Sequence, residues 1–397
     1  MNHSLSELHP YPFAKLRKLF EGIVPNPKLK PLRLSIGEPE HALPKFVEQV
    51  LLENCASLRK YPPTAGSPEL KRAISNWATA RFGLESTVLD SESMVLPCNG
   101  TREALFAIVQ TIVDHSVSSR PLVMMPNPFY QIYEGATILA GAEPKFINNN
   151  PVTQQPDFDS ISEDDWARCQ ILFICTPGNP SGVSLKLSQL KKLIQLADQY
   201  NFVIASDECY SELYLDEDSP VPGLLQACEA MNRADFKRCL VFHSLSKRSN
   251  LAGLRSGFVA GDPDLISKFL LYRTYHGSAM SLHSQAISTA VWSDEEHVIE
   301  NRAIYREKYD ALCPMLADKF EYQMPDAGFY LWLRTPESDI NFASKLYEKQ
   351  HLTVLPGSFL SRSAQGVNPG FGYIRLALVS PLTDCRAGIE RLLEQAD

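Results

Sequence analysis

The run Ser244-Leu-Ser-Lys247 sets a lysine between hydroxyl-bearing residues, and Arg255 follows eight positions later. An amine so placed is a candidate for condensing with a carbonyl, while Ser244 and the planar guanidinium of Arg255 suit a phosphate ester beside it. Alone, the run reads as readily as a solvated basic turn. Three more polar residues change the balance, because each follows an apolar run. Gln170-Ile-Leu-Phe-Ile-Cys175 leads into Thr176-Pro-Gly-Asn179-Pro-Ser-Gly, and Phe202-Val-Ile-Ala-Ser206 into Asp207 and Tyr210. Leu240-Val-Phe-His-Ser244 leads into Ser246 and Lys247. Short, near-continuous apolar runs are the pattern of strands covered on both faces. Singly, Asn179, Asp207 and Tyr210 are ordinary turn or capping residues.

These runs alternate with helical patterns. Leu190, Leu193, Ile194 and Ala197 repeat at i, i+3, i+4, i+7, which predicts a helix with Ser188 as N-cap. Earlier, Met94-Val-Leu-Pro-Cys98 runs into Asn99-Gly-Thr-Arg, putting Gly100 at a strand-to-helix turn with Thr101 and Arg102 at the helix start. Free N–H groups and the helix dipole make such a start a phosphate site. Strand and helix alternation predicts an open α/β sheet, whose ligands sit outside the carboxyl ends of the strands. Gathered there, the residues supply what a pyridine-ring cofactor requires: Asp207 for the ring nitrogen, Tyr210 and Asn179 for the phenolic oxygen, a phosphate cup, and the Lys247 amine for the aldehyde.

Size and composition exclude other classes. A chain of 397 residues predicts two packed units, and 44% hydrophobic with 21% charged residues is the composition of a soluble globular protein. No apolar run approaches the ~18 residues of a membrane span, and Met1-Asn-His-Ser-Leu-Ser-Glu lacks the order of a signal peptide, so a cytoplasmic location is expected. A formal charge of -8 without long Lys/Arg runs argues against nucleic-acid or anionic-membrane partners. The nine cysteines are scattered and never spaced Cys-x-x-Cys. They predict reduced thiols, mostly buried, with no disulfide framework and no metal site. The polar stretch from Asn148 to Pro156 reads as a surface connection.

The motifs Asn179-Pro-Ser-Gly, Asp207-Glu-Cys-Tyr210, Ser244-Leu-Ser-Lys247 with Arg255, and Gly372-Tyr-Ile-Arg375 resemble in order and spacing those of the fold-type I, pyridoxal-phosphate-dependent aminotransferases of class I/II. The resemblance runs from Ile36-Gly-Glu-Pro39 to Arg375. It departs at Gly178, where the family often has a second asparagine. It implies an α/β fold, with a large domain over 46–290 built on a mostly parallel seven-stranded sheet. A small α+β domain with an N-terminal arm would come from 1–45 and 291–397. It also implies pyridoxal 5'-phosphate held by Lys247 as a Schiff base, with Lys247 as base and acid of the proton shift, and Tyr130 stacked on the ring. Tyr61 would reach the phosphate of the neighbouring subunit, giving a homodimer with shared sites. In Tyr373-Ile-Arg-Leu-Ala-Leu378, alternation sets Arg375 on one face with Tyr373 and Ala377. The resemblance gives Arg375 the substrate α-carboxylate, with help from Gly37 and Asn179. Cys175 and Cys209 lie near that site and read as small buried hydrophobes.

Further segments, Tyr11-Pro-Phe-Ala-Lys-Leu16, Pro126-Asn-Pro-Phe-Tyr-Gln-Ile-Tyr-Glu-Gly-Ala136, Ser246-Lys-Arg-Ser-Asn250 and Tyr272-Arg-Thr-Tyr-His-Gly-Ser-Ala-Met280, resemble the succinyldiaminopimelate aminotransferases of bacterial lysine synthesis. Glutamate is then the expected donor and N-succinyl-2-amino-6-oxopimelate the acceptor, in a reversible exchange. Arg273 and His276 are candidates for the succinyl end by charge, with surface ion pairs as the alternative. Within the same fold, acetylornithine or LL-diaminopimelate aminotransferases and carbon–sulfur lyases use the same cofactor groups. A non-catalytic effector-binding protein is the reading from another class.

Overall fold

The structure is a computed structural model that describes residues 2–85 and 87–396. Along them the strands are β1 (Leu32–Arg33), β2 (Val95–Cys98), β3 (Leu122–Asn127), β4 (Glu143–Asn148), β5 (Cys169–Cys175), β6 (Val203–Asp207), β7 (Cys239–Ser244), β8 (Gly257–Gly261), β9 (Tyr330–Arg334), β10 (Leu352–Thr353), β11 (Leu355–Pro356) and β12 (Tyr373–Ala377). Seven of them form one sheet in the order β2-β8-β7-β6-β5-β3-β4. The pairs β7·β6, β6·β5, β5·β3 and β3·β4 are parallel, and β8 alone runs antiparallel to both of its neighbours.

Strand alternation gives this sheet two apolar faces. Leu172 and Ile174 of β5, Cys239 and Val241 of β7, and Phe258 and Ala260 of β8 pack in one core. Ile171 and Phe173, Leu240 and Phe242, and Val259 pack in the other, with helix Thr101–Ile112. Register then brings the functional ends together, because Cys175 pairs with Asp207, Asp207 with Phe242, and Ser244 with Gly257.

A second layer joins the two ends of the chain. β11, β12 and β9 make an antiparallel sheet, and β1 pairs in parallel with β10. Ile374, Leu376 and Leu378 face a separate core with Leu34, Leu312 and Leu316, which leaves Arg375 on the opposite side as the alternation predicts. The helix Glu296–Leu316 passes between this layer and the large sheet, contributing Tyr305 beside Tyr210 and Phe329 as well as Leu312 and Leu316.

Boundaries differ from the sequence reading by a residue or two. The strand expected over 202–206 spans Val203–Asp207, so Asp207 is the last strand residue rather than the first beyond it. The helix expected to be capped by Ser188 spans Leu187–Tyr200, with Lys186 at the N-cap. The cause is Gln189, whose side-chain oxygen accepts the Lys186 N–H at 2.8 Å and sets the turn earlier. Among the described residues no helix is long and apolar enough to cross a membrane.

Candidate active site

Where β5, β6 and β7 end, the chain leaves a cavity of about 470 Å³, within the usual range for small-molecule sites. Lys247 enters it from the short helix Leu245–Arg248 that follows β7. Its Nζ donates to the carbonyl of Gly37 at 2.5 Å. Burial pulls this amine down to about 8, and the charges of Arg375 and Arg255 act in the same direction. A neutral, nucleophilic amine is therefore available near neutral pH.

Asp207 is almost fully buried on the floor of the cavity. Its Oδ2 accepts from Tyr133 Oη at 2.6 Å and its Oδ1 from the Cys209 N–H at 3.3 Å. Burial pushes the carboxyl up, opposed in part by these hydrogen bonds. Among the described residues it has no ion pair, and a buried acid in that state suits a cationic ring N–H. Tyr210 and Asn179 stand on either side of the neighbouring wall. The Tyr210 hydroxyl meets that of Tyr330 at 3.1 Å, and Asn179 Oδ1 accepts from Arg375 at 2.9 Å, leaving the Asn179 N–H groups free to donate.

At the other end, Gly100 has φ 79° and a Cβ on it would lie 2.5 Å from Arg255 Nη2. Only glycine turns the chain there and lets Arg255 lie over the first turn of helix Thr101–Ile112. Arg255 donates to Ala252 O at 2.7 Å, and Ser244 Oγ accepts from the Ser246 N–H at 3.1 Å. Thr101, Arg102, Ser244, Ser246 and Arg255 all line this end. A helix start with hydroxyls and an exposed guanidinium is a fit for a dianionic phosphate. Tyr130 lines the cavity as well, its hydroxyl accepting from Arg102 Nε at 2.8 Å.

Arg375 projects from β12 and is 4% exposed. It donates to Ser35 O at 2.8 Å, its guanidinium lies 4.3 Å from the Tyr330 ring centre, and its buried Nε has no partner. An unpaired donor on a buried cation calls for an anion from outside, and a carboxylate has the matching geometry. The approach of Gly37 to Tyr330 is so close that a Cβ on Gly37 would fall 2.0 Å from Tyr330 Oη.

Eleven of the residues singled out in the sequence thus share one cavity, Gly37 among them, and Tyr61 does not. Tyr61 is fully exposed. Arg273 and His276 do not line the cavity either. Arg273 is buried behind the helix start, bonded to Glu103, Pro97 O and Ser278 O, and its guanidinium is used up in holding that helix. His276 is exposed and bonds Ser278. Cys175 and Cys209 line the cavity and are half-buried, Cys209 packing also against the cluster of Tyr210, Phe329 and Tyr330, with its Sγ 3.1 Å from Thr101 Oγ1. Sequence reasoning missed Tyr133 and Tyr330. Tyr133 lies three residues beyond Tyr130, one helical turn on, and that spacing was the available signal. Tyr330 faces Ala377 across a pairing that joins distant parts of the chain, for which the sequence carries no local sign.

This chain belongs to the class I and II aminotransferases, whose family description matches residues 30–391. Members depend on pyridoxal 5'-phosphate, and the cavity fits that group: a buried unpaired acid, a desolvated amine and a phosphate cup at the required ends. The chain is 47% identical to an aminotransferase from Neisseria meningitidis, covering 99% of both chains with a TM-score of 0.95. It is 31% identical to an LL-diaminopimelate aminotransferase of Aquifex aeolicus, over 99% of this chain and 96% of the other. A probable N-succinyldiaminopimelate aminotransferase of Thermus thermophilus shares the fold, with a TM-score of 0.85 at 22% identity over 97% of this chain and 100% of that one.

Proposed function

We propose that this aminotransferase exchanges an amino group between glutamate and N-succinyl-2-amino-6-oxopimelate in lysine synthesis, working as a homodimer. When bound, pyridoxal 5'-phosphate supplies an aldehyde that accepts the amino group and a ring that draws electrons from the bond to the α-hydrogen. Lys247 Nζ would hold that aldehyde, and as a free amine it would move the proton at the α-carbon. It is the amine tethered within reach, and its lowered basicity near pH 8 suits both taking and giving a proton. Asp207 keeps the ring nitrogen protonated, Tyr133 holds Asp207 in place, and Tyr210 with Asn179 donates to the phenolic oxygen. Tyr130 covers the ring face. Ser244, Ser246, Arg255 and the first turn at Thr101 and Arg102 bind the phosphate. Tyr61 is exposed in the single chain, which supports its reaching the phosphate of a second copy.

Arg375 binds the α-carboxylate, and the observation that carries this assignment is its buried, partnerless Nε in the same cavity as Lys247. Transamination needs an amine and a carboxylate receptor facing one pocket, and these two residues provide them. Succinyl specificity is supported by the segments at 11–16, 126–136, 246–250 and 272–280. LL-diaminopimelate itself is the second reading, favoured by the curated relative of Aquifex aeolicus, which shares 31% of its residues over nearly the whole chain. Half-reactions with succinyldiaminopimelate, LL-diaminopimelate and acetylornithine, followed by loss of the visible absorption, separate the readings. Fast conversion by the succinylated amine alone is the expected result, and preference for the free diamine overturns it.

A further inference from the structure

A strap of chain, residues 34–42, crosses the mouth of the cavity. Its near end is tied to the small sheet, with Leu34 O accepting from the Ala377 N–H at 2.7 Å and Ser35 O from Arg375 at 2.8 Å. Ile36, Gly37 and Glu38 then line the cavity, with Gly37 O on the Lys247 amine. The far end is held through the His41 side chain and, at 3.4 Å, by Asn250 Nδ2 donating to Ala42 O. His41 Nε2 lies 2.7 Å from Lys308 Nζ, and His41 Nδ1 lies 2.9 Å from Asn301 Oδ1.

The protons at this junction can be counted. Lys308 is 1% exposed, and its Nζ also donates to Leu378 O at 2.7 Å and Ser380 O at 2.6 Å. Asn301 Nδ2 is committed to two carbonyls, so its Oδ1 is an acceptor and His41 Nδ1 carries a proton. Burial disfavours a second proton on the ring, and Nε2 then accepts the third N–H of an ammonium Lys308. His41 is then neutral, with its proton on Nδ1 donated to Asn301 Oδ1. Asn250 Nδ2 donates to the same oxygen at 3.1 Å, which leaves Asn301 Nδ2 to donate to the carbonyls of Lys247 at 3.3 Å and Arg248 at 3.2 Å. The chain of donors runs without a gap from the buried ammonium through His41 to the backbone of Lys247.

We propose that His41 is a positioning residue for the reaction. In its neutral form it clamps the strap to Lys308 and Asn301 and keeps Gly37 at the mouth beside Lys247 and Arg375, and its protonation opens the clamp. The role rests on the reading of Lys247 and Arg375 given above. Protonation turns Nε2 from acceptor to donor, facing an ammonium that has no lone pair to offer. The groups around the pair are Asn301, Tyr305 and Lys308 on the Glu296–Leu316 helix, Asn250, and Glu40 of the strap, with Glu307 and the Cys385 thiol acting on Lys308. Burial holds His41 below the usual histidine range, opposed by the Asn301 hydrogen bond and aided by the Lys308 charge, so the clamp is closed at neutral pH.

The test compares wild-type holoenzyme with His41→Gln, whose carboxamide offers a donor and an acceptor but does not titrate. Backbone hydrogen exchange of residues 34–42, corrected for intrinsic rates, and the KM and kcat for glutamate are followed over about pH 5–8. In the wild type, strap exchange and KM rise together on the acid side, KM by roughly tenfold one pH unit below the His41 midpoint, while kcat moves less. His41→Gln flattens both profiles. Wild-type strap exchange that is independent of pH overturns the proposal, as does an identical acid limb in the variant. The exchange readout needs no substrate, so an error in the substrate assignment leaves it standing. An error over Lys247 instead shows in that residue's own substitution.

Discussion

Two walls of the cavity are built on different plans. The cofactor wall stands on the carboxyl ends of β5, β6 and β7, adjacent parallel strands of the large sheet, the last residues of β5 and β6 in register and β7 running on from Phe242 to Ser244. Each of its groups sits within a few residues of a buried strand, and its backbone is held by the sheet ladder. The substrate wall is assembled from segments far apart in sequence. Arg375 meets Ser35 across 340 residues and Asn179 across 196, and the strap reaches the interior through His41. Local opening follows the weaker set of contacts. On the proposed assignment the first wall would be the rigid mount for the cofactor, and the second the part that yields as an amino acid enters.

Substitution on the cofactor wall that removes the reacting group should have the largest effect. Lys247→Ala is expected to lower turnover by about 10³-fold or more, since it deletes both the tether and the proton carrier. It should also remove the visible absorption band of the holoenzyme. A retained band with retained turnover would break the assignment of this wall. Arg375→Ala, on the other wall, is expected to weaken amino-acid binding by about 2–5 kcal/mol, because its partners in the pair are desolvated, while the cofactor spectrum without substrate stays as in the wild type. Equilibrium titration with glutamate measures it, and a loss of cofactor instead of substrate affinity would mean that the two walls do not divide the work.

Between these in kind, though smaller in size, is the pH dependence of Lys247. Its folded value of about 8 lies below the 10.5 of the free amine, so between the two the unfolded chain binds more protons. Stability of the cofactor-free protein therefore rises with pH across that window. The same shift sets how fast the amine takes up pyridoxal 5'-phosphate. Uptake is expected to fall about tenfold per unit below the midpoint and to level off above it, as followed by growth of the visible band. A midpoint near that of free lysine would show that this amine is not desolvated.

The contrast between the walls also explains what the sequence revealed. Asn179, Asp207, Tyr210, Ser244 and Lys247 were legible because polar residues closing buried strands are local patterns, and the parallel order of those strands puts them on one edge. Arg375 was legible in part, from alternation in its strand. Its partners Ser35 and Tyr330 were not, since β9 meets β12 through a tertiary pairing that no spacing announces. Arg273 was legible only as a choice between the succinyl end and an ion pair, and an ion pair with Glu103 is what the structure holds. Its charge was visible, while its burial against Glu103 is decided by how helix Pro263–His276 packs on the helix that begins at Thr101. The Ser188 cap failed by two residues because the Gln189 side chain accepts the Lys186 N–H and makes Lys186 the N-cap.

Tyr133 tests the cofactor wall where the sequence was silent, and it should give the smallest effect. Its ring is fully buried, stacked on Phe173 with centres 4.4 Å apart, so Tyr133→Phe keeps the packing and deletes one O–H. Asp207 then loses a 2.6 Å hydrogen bond in a place where water does not replace it. With the cofactor bound, Asp207 is ionised, and the bond to a carboxylate is worth about 1.5 kcal/mol, which corresponds to roughly tenfold weaker binding of pyridoxal 5'-phosphate. The loss should fall on cofactor dissociation and leave glutamate affinity of the saturated enzyme within about twofold. If Tyr133→Phe weakened glutamate as strongly as the cofactor, Asp207 would be coupled to Arg375 through the ring, and the two walls would act as one unit.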